Sequence, residues 1–230
     1  MENRRAKSAL FDHLAVVGKA FGSAKRLELI DLLSQGERTV ESLAREAGLG
    51  VSTASAHLQV LKLSNIVATR RDGTRIHYRL AGEDVAALYA AMRAVALEHS
   101  ADVDRALASY LGMGSMGDSD ADVEEVSREE LLDRLAAGDV VLLDVRPPEE
   151  FAAGHIPGAR SVPLGRLSED LSTVAELAED ADIVAYCRGA YCVLAHDAVR
   201  LLRAKGRRAR RLEDGLLEWR TQGYPVEVGA

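Results

Sequence analysis

The stretch from Ile183 to His196 leaves the chain few ways to fold. It reads Ile-Val-Ala-Tyr-Cys-Arg-Gly-Ala-Tyr-Cys-Val-Leu-Ala-His and holds both cysteines of the protein, Cys187 and Cys192. The apolar run Ile183 to Tyr186 has the length and β-branching of a buried strand. Val193, Leu194, Val199, Leu201 and Leu202 then share one broad helical face. The pattern predicts strand, short loop, helix, with Cys187 at the C-terminal end of the strand. Loop amides, the positive end of the helix and the charge of Arg188 then favour a thiolate at Cys187. Gly189 lets the backbone wrap closely around whatever the sulfur carries. The bland alternative is a buried, inert cysteine on an ordinary α/β turn, the usual state of a free cysteine.

Two further segments bear on that choice. Upstream, Leu142 to Ala159 reads Leu-Leu-Asp-Val-Arg-Pro-Pro-Glu-Glu-Phe-Ala-Ala-Gly-His-Ile-Pro-Gly-Ala. Downstream, Leu212 to Val226 reads Leu-Glu-Asp-Gly-Leu-Leu-Glu-Trp-Arg-Thr-Gln-Gly-Tyr-Pro-Val. Together with the cysteine loop, in this order, they resemble the rhodanese family of sulfurtransferases. The resemblance implies an α/β domain with a parallel sheet in which Cys187 takes a sulfane sulfur, becomes a persulfide and passes the sulfur on. The loop Arg188, Gly189, Ala190, Tyr191, Cys192 and Val193 would cradle the outer sulfur. Asp144, Arg146, Glu150 and His155 would support the loop side of the sheet without doing chemistry. The implied partners are a small sulfane-sulfur donor and a thiol or cyanide-like acceptor, with no cofactor. Related phosphatases place an arginine six residues after the cysteine; here that residue is Val193, so the clamp for a tetrahedral oxyanion is missing. Trp219 is expected in the core. Asp214-Gly215 stands where relatives often have two glycines. Cys192 is either a small apolar residue seating the helix or a thiol that resolves the persulfide.

Composition sets the outer limits. Of 230 residues, 47% are hydrophobic and 28% charged, which suits one large or two modest packed domains. No apolar run approaches the roughly 20 residues that span a bilayer. The N-terminus lacks an apolar signal segment, and two cysteines make no secreted disulfide framework; the cytoplasm is the expected compartment, with no membrane partner. The net charge of −7 is unevenly spread. Residues 1–116 carry 15 Lys and Arg against 13 Asp and Glu, a net +2, and the remainder carries −9. A polyanion would therefore meet the first part and be repelled by the second.

The first part reads as helices around a turn. Residues 7–33 have helical periodicity broken at Gly22-Ser23, with Ser23 as a cap for the second helix and Gly36 closing it. A helix from Thr39 to Ala47, the turn Gly48-Leu49-Gly50 and a helix from about Ser52 to Leu63 make a helix-turn-helix signal. Ile66 to Arg71 and Thr74 to Leu80 are strand-like, and Asp72-Gly73 between them favours a type I′ turn. The block Leu27–Leu80, with Leu-Ala-Arg-Glu-Ala-Gly-Leu, Ser-Ala-His-Leu-Gln-Val-Leu and the Arg-Arg-Asp-Gly-Thr-Arg hairpin, resembles the ArsR-type winged-helix repressors. In the second helix Val51, Ala54, Leu58 and Leu61 are expected inward, and Ser52, Thr53, Ser55, Ala56 and Gln59 outward toward DNA. His57 borders the apolar stripe, with a half-buried role and a DNA contact both open. Arg70, Arg71, Arg75 and Arg79 would line the wing and meet phosphates or the minor groove.

A single long helix is predicted from Glu83 to Leu111. In the ArsR family such a helix and the N-terminal one make a dimer, and a palindromic operator on double-stranded DNA suits a homodimer. ArsR relatives often sense metals, but this chain has no cysteine at Glu37–Ser42 and only His99 between Glu98 and Asp102, so no metal site is read. The expected organisation is a mainly α winged helix-turn-helix over 1–111, a Gly/Ser/Asp-rich linker over 112–124 and a rhodanese-like domain over 125–230. Ser127 with Glu130 opens that domain as a capping box. Val140 to Val145 is a parallel-type strand, and the basic run Arg207 to Arg211 is expected on a solvated edge. The functional expectation is a DNA-binding regulator, a repressor, that senses or transfers sulfane sulfur. The rivals are a sulfurtransferase merely tethered to DNA and a catalytically silent interaction module.

Overall fold

The computed structural model describes residues 2–111, 123–169, 181–189 and 191–229, and the chain divides into two compact units, Met1–Tyr89 and Ala90–Ala230. No described helix is long and apolar enough to cross a membrane. The expected linker falls almost wholly on residues 112–122, outside those described.

In the first unit α1 (Glu2–Phe21) and α2 (Ala24–Ser34) are separated at Gly22-Ser23. Ser23 holds the N-cap position but its side chain caps nothing. Arg26 does the local work instead, giving Nε to Ala20 O and Nη2 to Lys19 O, both at 2.6 Å, which satisfies carbonyls that the end of α1 leaves open. A two-residue strand β1 (Arg38–Thr39) leads into α3 (Val40–Glu46), where Thr39 Oγ1 accepts from Ser42 N. The turn at Gly48, with φ +61°, feeds α4 (Val51–Leu63). Strands β2 (Val67–Asp72) and β3 (Arg75–Leu80) follow and make an antiparallel sheet in the order β1-β3-β2. The register pairs Asp72 with Arg75, so the loop is Gly73-Thr74 rather than Asp72-Gly73. Gly73 alone there has positive φ, whereas a type I′ turn needs two such residues.

The predicted long helix is two helices, α5 (Glu83–His99) and α6 (Ala101–Tyr110). Ser100 breaks it by taking an extended conformation, φ −125° and ψ 99°. Asp102 and Asp104 then sit in the first turn of α6, where carboxylates favour a helix start over a helix middle.

The second unit is built on a five-stranded parallel sheet, order β4-β8-β7-β5-β6, from β4 (Glu125–Val126), β5 (Val141–Asp144), β6 (Arg160–Ser161), β7 (Ile183–Tyr186) and β8 (Ala209–Leu212). Helices α7 (Arg128–Ala137), α8 (Pro148–Ala153), α9 (Leu164–Glu169), α10 (Val193–Ala204) and α11 (Leu216–Thr221) complete it. Along β7 the pleat sends Ile183 and Ala185 into one core with Ala195, Ala198, Val199 and Leu202 of α10. Val184 and Tyr186 enter the other, with Leu131 of α7 and Trp219 of α11. Covering both faces explains why β7 is apolar throughout. Ser127 Oγ accepts from Glu130 N and caps α7. The basic run is not a solvated edge: β8 lies between β4 and β7. Arg210 pairs there with Glu130 and Asp182, and Arg211 with Glu125.

Candidate functional site

Two sites emerge, one in each unit. On α4, Ala54, Leu58 and Leu61 are fully buried, which turns Ser52, Thr53, Ala56 and Gln59 outward, with Ser55 and His57 half-buried. Val51 is 49% exposed rather than inward, because it is the first residue of the helix and no turn precedes it to pack against. The wing exposes Arg71 and Arg75. Arg70 is drawn aside: its guanidinium meets Glu37 at 2.6 Å and Asp72 at 3.5 Å. An arginine so paired has to give up a carboxylate before it can meet a phosphate.

The second site is the cysteine loop. Cys187 follows β7 directly and Cys192 is the N-cap residue of α10. The turn between them closes where Cys192 N donates to Gly189 O at 3.0 Å. The far side of the loop is pinned by α11: Leu216 N donates to Cys187 O and Leu217 N to Arg188 O, at 3.0 and 3.1 Å. This contact is possible only because Gly215 lacks a side chain. A Cβ there would lie 2.2 Å from Gly189 N and 2.3 Å from Gly189 Cα. The residue beside it, Asp214, is occupied by an ion pair with Arg128, so losing one glycine of the usual pair leaves the close approach intact. Of the expected loop residues, Ala190 lies outside those described.

The four residues expected to support the loop are buried, and each has a partner. Asp144 and Arg146 are fully enclosed and paired, with Arg146 Nε 2.9 Å and Nη2 2.5 Å from the Asp144 carboxylate. Arg146 Nη2 also donates to Gly154 O at 2.7 Å. Tyr186, unremarked in the sequence, donates from its hydroxyl to Asp144 Oδ2 at 2.6 Å and accepts from Ile156 N. Burial first, and then the Asp144 charge, push its phenol far up. Glu150, 1% exposed, takes the Arg188 guanidinium in a two-oxygen clasp, with Nε at 3.0 Å from both oxygens and Nη2 at 2.5 Å. His155 stacks on Phe151, ring centres 3.7 Å apart, and its Nδ1 lies 3.0 Å from Phe151 O.

These contacts overturn part of the electrostatic expectation at Cys187. Arg188 is neutralised by Glu150, and Cys187 is only 2% exposed. Burial first, then the neighbouring Cys192, push the Cys187 thiol well up, while the amides of Ala195 and Gly189 pull the other way. Cys192 moves down, chiefly through its hydrogen bond with Cys187 and also through the amides of Arg188 and Leu194. The Cys187 thiol faces the Cys192 carbonyl oxygen at 3.3 Å.

Two more residues belong to this loop and were not legible in the sequence. Arg93 of α5, in the second unit, lies with its guanidinium 4.0 Å from the centre of the Tyr191 ring, and Tyr191 donates its hydroxyl to Arg93 O at 3.0 Å. Glu218 meets Arg93 at 3.5 Å and accepts from Gly215 N at 3.1 Å. Burial pushes the Glu218 carboxyl up and Arg93 opposes it. The position of Glu218 at the third residue of α11, beginning after Gly215, was the one available cue, since an acidic residue there reaches back to the helix entry.

Comparison with known proteins separates the same two parts. Residues 23–69 match the model for bacterial regulatory proteins of the arsR family, and residues 127–222 match the rhodanese-like domain. Over 224 residues the chain is 53% identical to the HTH-type transcriptional regulator Rv0324 of Mycobacterium tuberculosis, covering 97% of this chain and 94% of that one. Over 106 residues it is 35% identical to a sulfurtransferase of Allochromatium vinosum, covering 45% of this chain and 94% of that one. The homodimeric winged helix-turn-helix domain (fragment 1–100) of Mb0332 from Mycobacterium bovis is similar over 41% of this chain and 87% of its own, at 53% identity and a TM-score of 0.40.

Proposed function

Because the chain belongs to the ArsR family of bacterial regulatory proteins and carries a rhodanese-like domain, we propose that it is a transcriptional repressor whose DNA binding answers to sulfane sulfur held on Cys187. The observation that carries this reading is the pairing of Cys187 at the end of β7 with Cys192 at the start of α10, inside a loop pinned by Gly215 and α11. Such a loop isolates a sulfur atom from water and surrounds it with amides. A donor that opens the loop finds the Cys187 thiol, which gives its proton to solvent as its sulfur attacks the sulfane sulfur. The outer sulfur then lies among the amides of the loop, where its negative charge is stabilised.

On the other unit, the outward face of α4 supplies short hydroxyls and an amide for base edges, and Arg71 and Arg75 supply phosphate contacts. Leu10, Phe11 and Leu14 are 57–58% exposed on α1. Apolar residues of this size at helical spacing favour a second copy of the chain as their cover, and a two-fold dimer suits a palindromic operator.

The test is persulfide formation. Purified protein given thiosulfate together with excess cyanide, which takes the outer sulfur as the persulfide forms, should yield thiocyanate, and Cys187→Ser should yield none. A Cys187→Ser variant that still yields thiocyanate would remove Cys187 from the role.

A further inference from the structure

We propose that Cys192 is a resolving nucleophile: it attacks the inner sulfur of a Cys187 persulfide, closes a Cys187–Cys192 disulfide and expels the outer sulfur as hydrosulfide. This builds on the persulfide reading and names what ends it. Three features of the loop support the step. The turn that closes with Cys192 N on Gly189 O brings the chain back over Cys187. Cys192 holds the N-cap position of α10, with φ −99° and ψ 118°, and its side chain packs against the apolar cluster that contains Cys187. And the Cys187 sulfur lies 3.3 Å from the Cys192 carbonyl oxygen, so the two residues are already in contact.

The chemistry balances without an external oxidant beyond the sulfur donor. In the first step the Cys187 thiol gives its proton to solvent, its sulfur forms a bond to the sulfane sulfur of thiosulfate, and sulfite leaves with the bonding electrons. Cys187 is then an anionic persulfide and Cys192 a thiol. In the second step the Cys192 sulfur bonds to Cys187 Sγ, the Sγ–outer sulfur bond breaks, and the outer sulfur leaves as hydrosulfide with the proton from Cys192. The sulfane sulfur gains two electrons and each cysteine sulfur loses one. A thiol or dithiol reductant would return the pair to its starting state. The domain would thus turn over a sulfane sulfur into sulfide and a protein disulfide, and the persulfide would be a passing state.

The experiment uses the reduced full-length chain, one equivalent of thiosulfate and no other thiol, with intact mass and released sulfide read together. Wild type should lose two hydrogens, release about one sulfide per chain by the stoichiometry of thiol–disulfide exchange, and yield a peptide cross-linked between Cys187 and Cys192. Cys192→Ala, and Cys192→Ser which keeps the size of the side chain, should instead retain one added sulfur and release no sulfide. If wild type keeps the added sulfur and releases no sulfide, the resolving role is refuted while the persulfide reading stands. If neither wild type nor either variant gains sulfur or forms the cross-link, both readings are refuted. The wild-type product alone decides the matter should a variant fail to fold.

Discussion

The helix α4 and the cysteine loop treat their working side chains in opposite ways. On α4 the apolar stripe of Ala54, Leu58 and Leu61 is buried, and the polar residues stand in solvent ready to meet a partner. In the loop Cys187 itself is buried, its carbonyl and that of Arg188 are bonded to α11, and the nearby cation is clasped by Glu150. The first site is complete before anything binds. The second is held shut, and chemistry on it requires movement. A surface that reads DNA must find its site many times among competing duplexes, so preformed contacts serve it. A thiol that holds a reactive sulfur gains from enclosure, because water and stray thiols are kept out.

Glycine substitutions sharpen that contrast. Gly215→Ala sets a methyl group against the backbone of Gly189, and backbone cannot step aside as a flexible side chain can. Unfolding by denaturant should show a loss of about 3 kcal/mol or more for the second unit, with loss of persulfide formation. Gly50→Ala in the helix-turn-helix meets only Thr53 Oγ1 at 3.9 Å and has an ordinary φ of −68°; its cost should stay within about 1 kcal/mol. Equal costs at the two positions would mean that the loop is not packed as tightly as described.

The DNA face is tested by a smaller effect. Arg71→Ala with Arg75→Ala should weaken binding to every duplex alike and lower the slope of log affinity against log salt by about two. Ser55→Ala with Gln59→Ala should leave that slope alone and weaken preference for the operator, by about 1–3 kcal/mol for each base edge that is no longer read. If sequence preference survives the second pair, the reading face lies elsewhere on the unit.

Much of this arrangement was legible from residue order, for identifiable reasons. The apolar run of β7, the glycine turn of the helix-turn-helix and the capping residues Thr39 and Ser127 act through neighbours in sequence, and all took their expected places. Other expectations failed where distant partners decide. Ser23 yielded its capping role to Arg26, which reaches back to α1. The break at Ser100 overrode helical periodicity that ran on through Leu111. Arg188 was read as a charge on the sulfur because its partner, Glu150, is 38 residues away. Arg210 and Arg211 looked solvated because nothing local shows that β8 is an inner strand. Arg93 carries no motif at all, and only the packing of α5 against Tyr191 assigns it to the loop.

The central claim, that sulfur on Cys187 alters DNA binding, has a direct test. Wild type and Cys187→Ser are titrated against an operator selected from random duplexes, each with and without prior thiosulfate treatment, at one fixed salt concentration. Coupling of about 1–3 kcal/mol, the ordinary range for linked sites, would shift wild-type operator affinity by about 5–150-fold after treatment and leave Cys187→Ser unmoved. Wild type that reacts with thiosulfate at Cys187 yet binds the operator with unchanged affinity would contradict the account and leave a sulfurtransferase joined to a DNA-binding unit without communication.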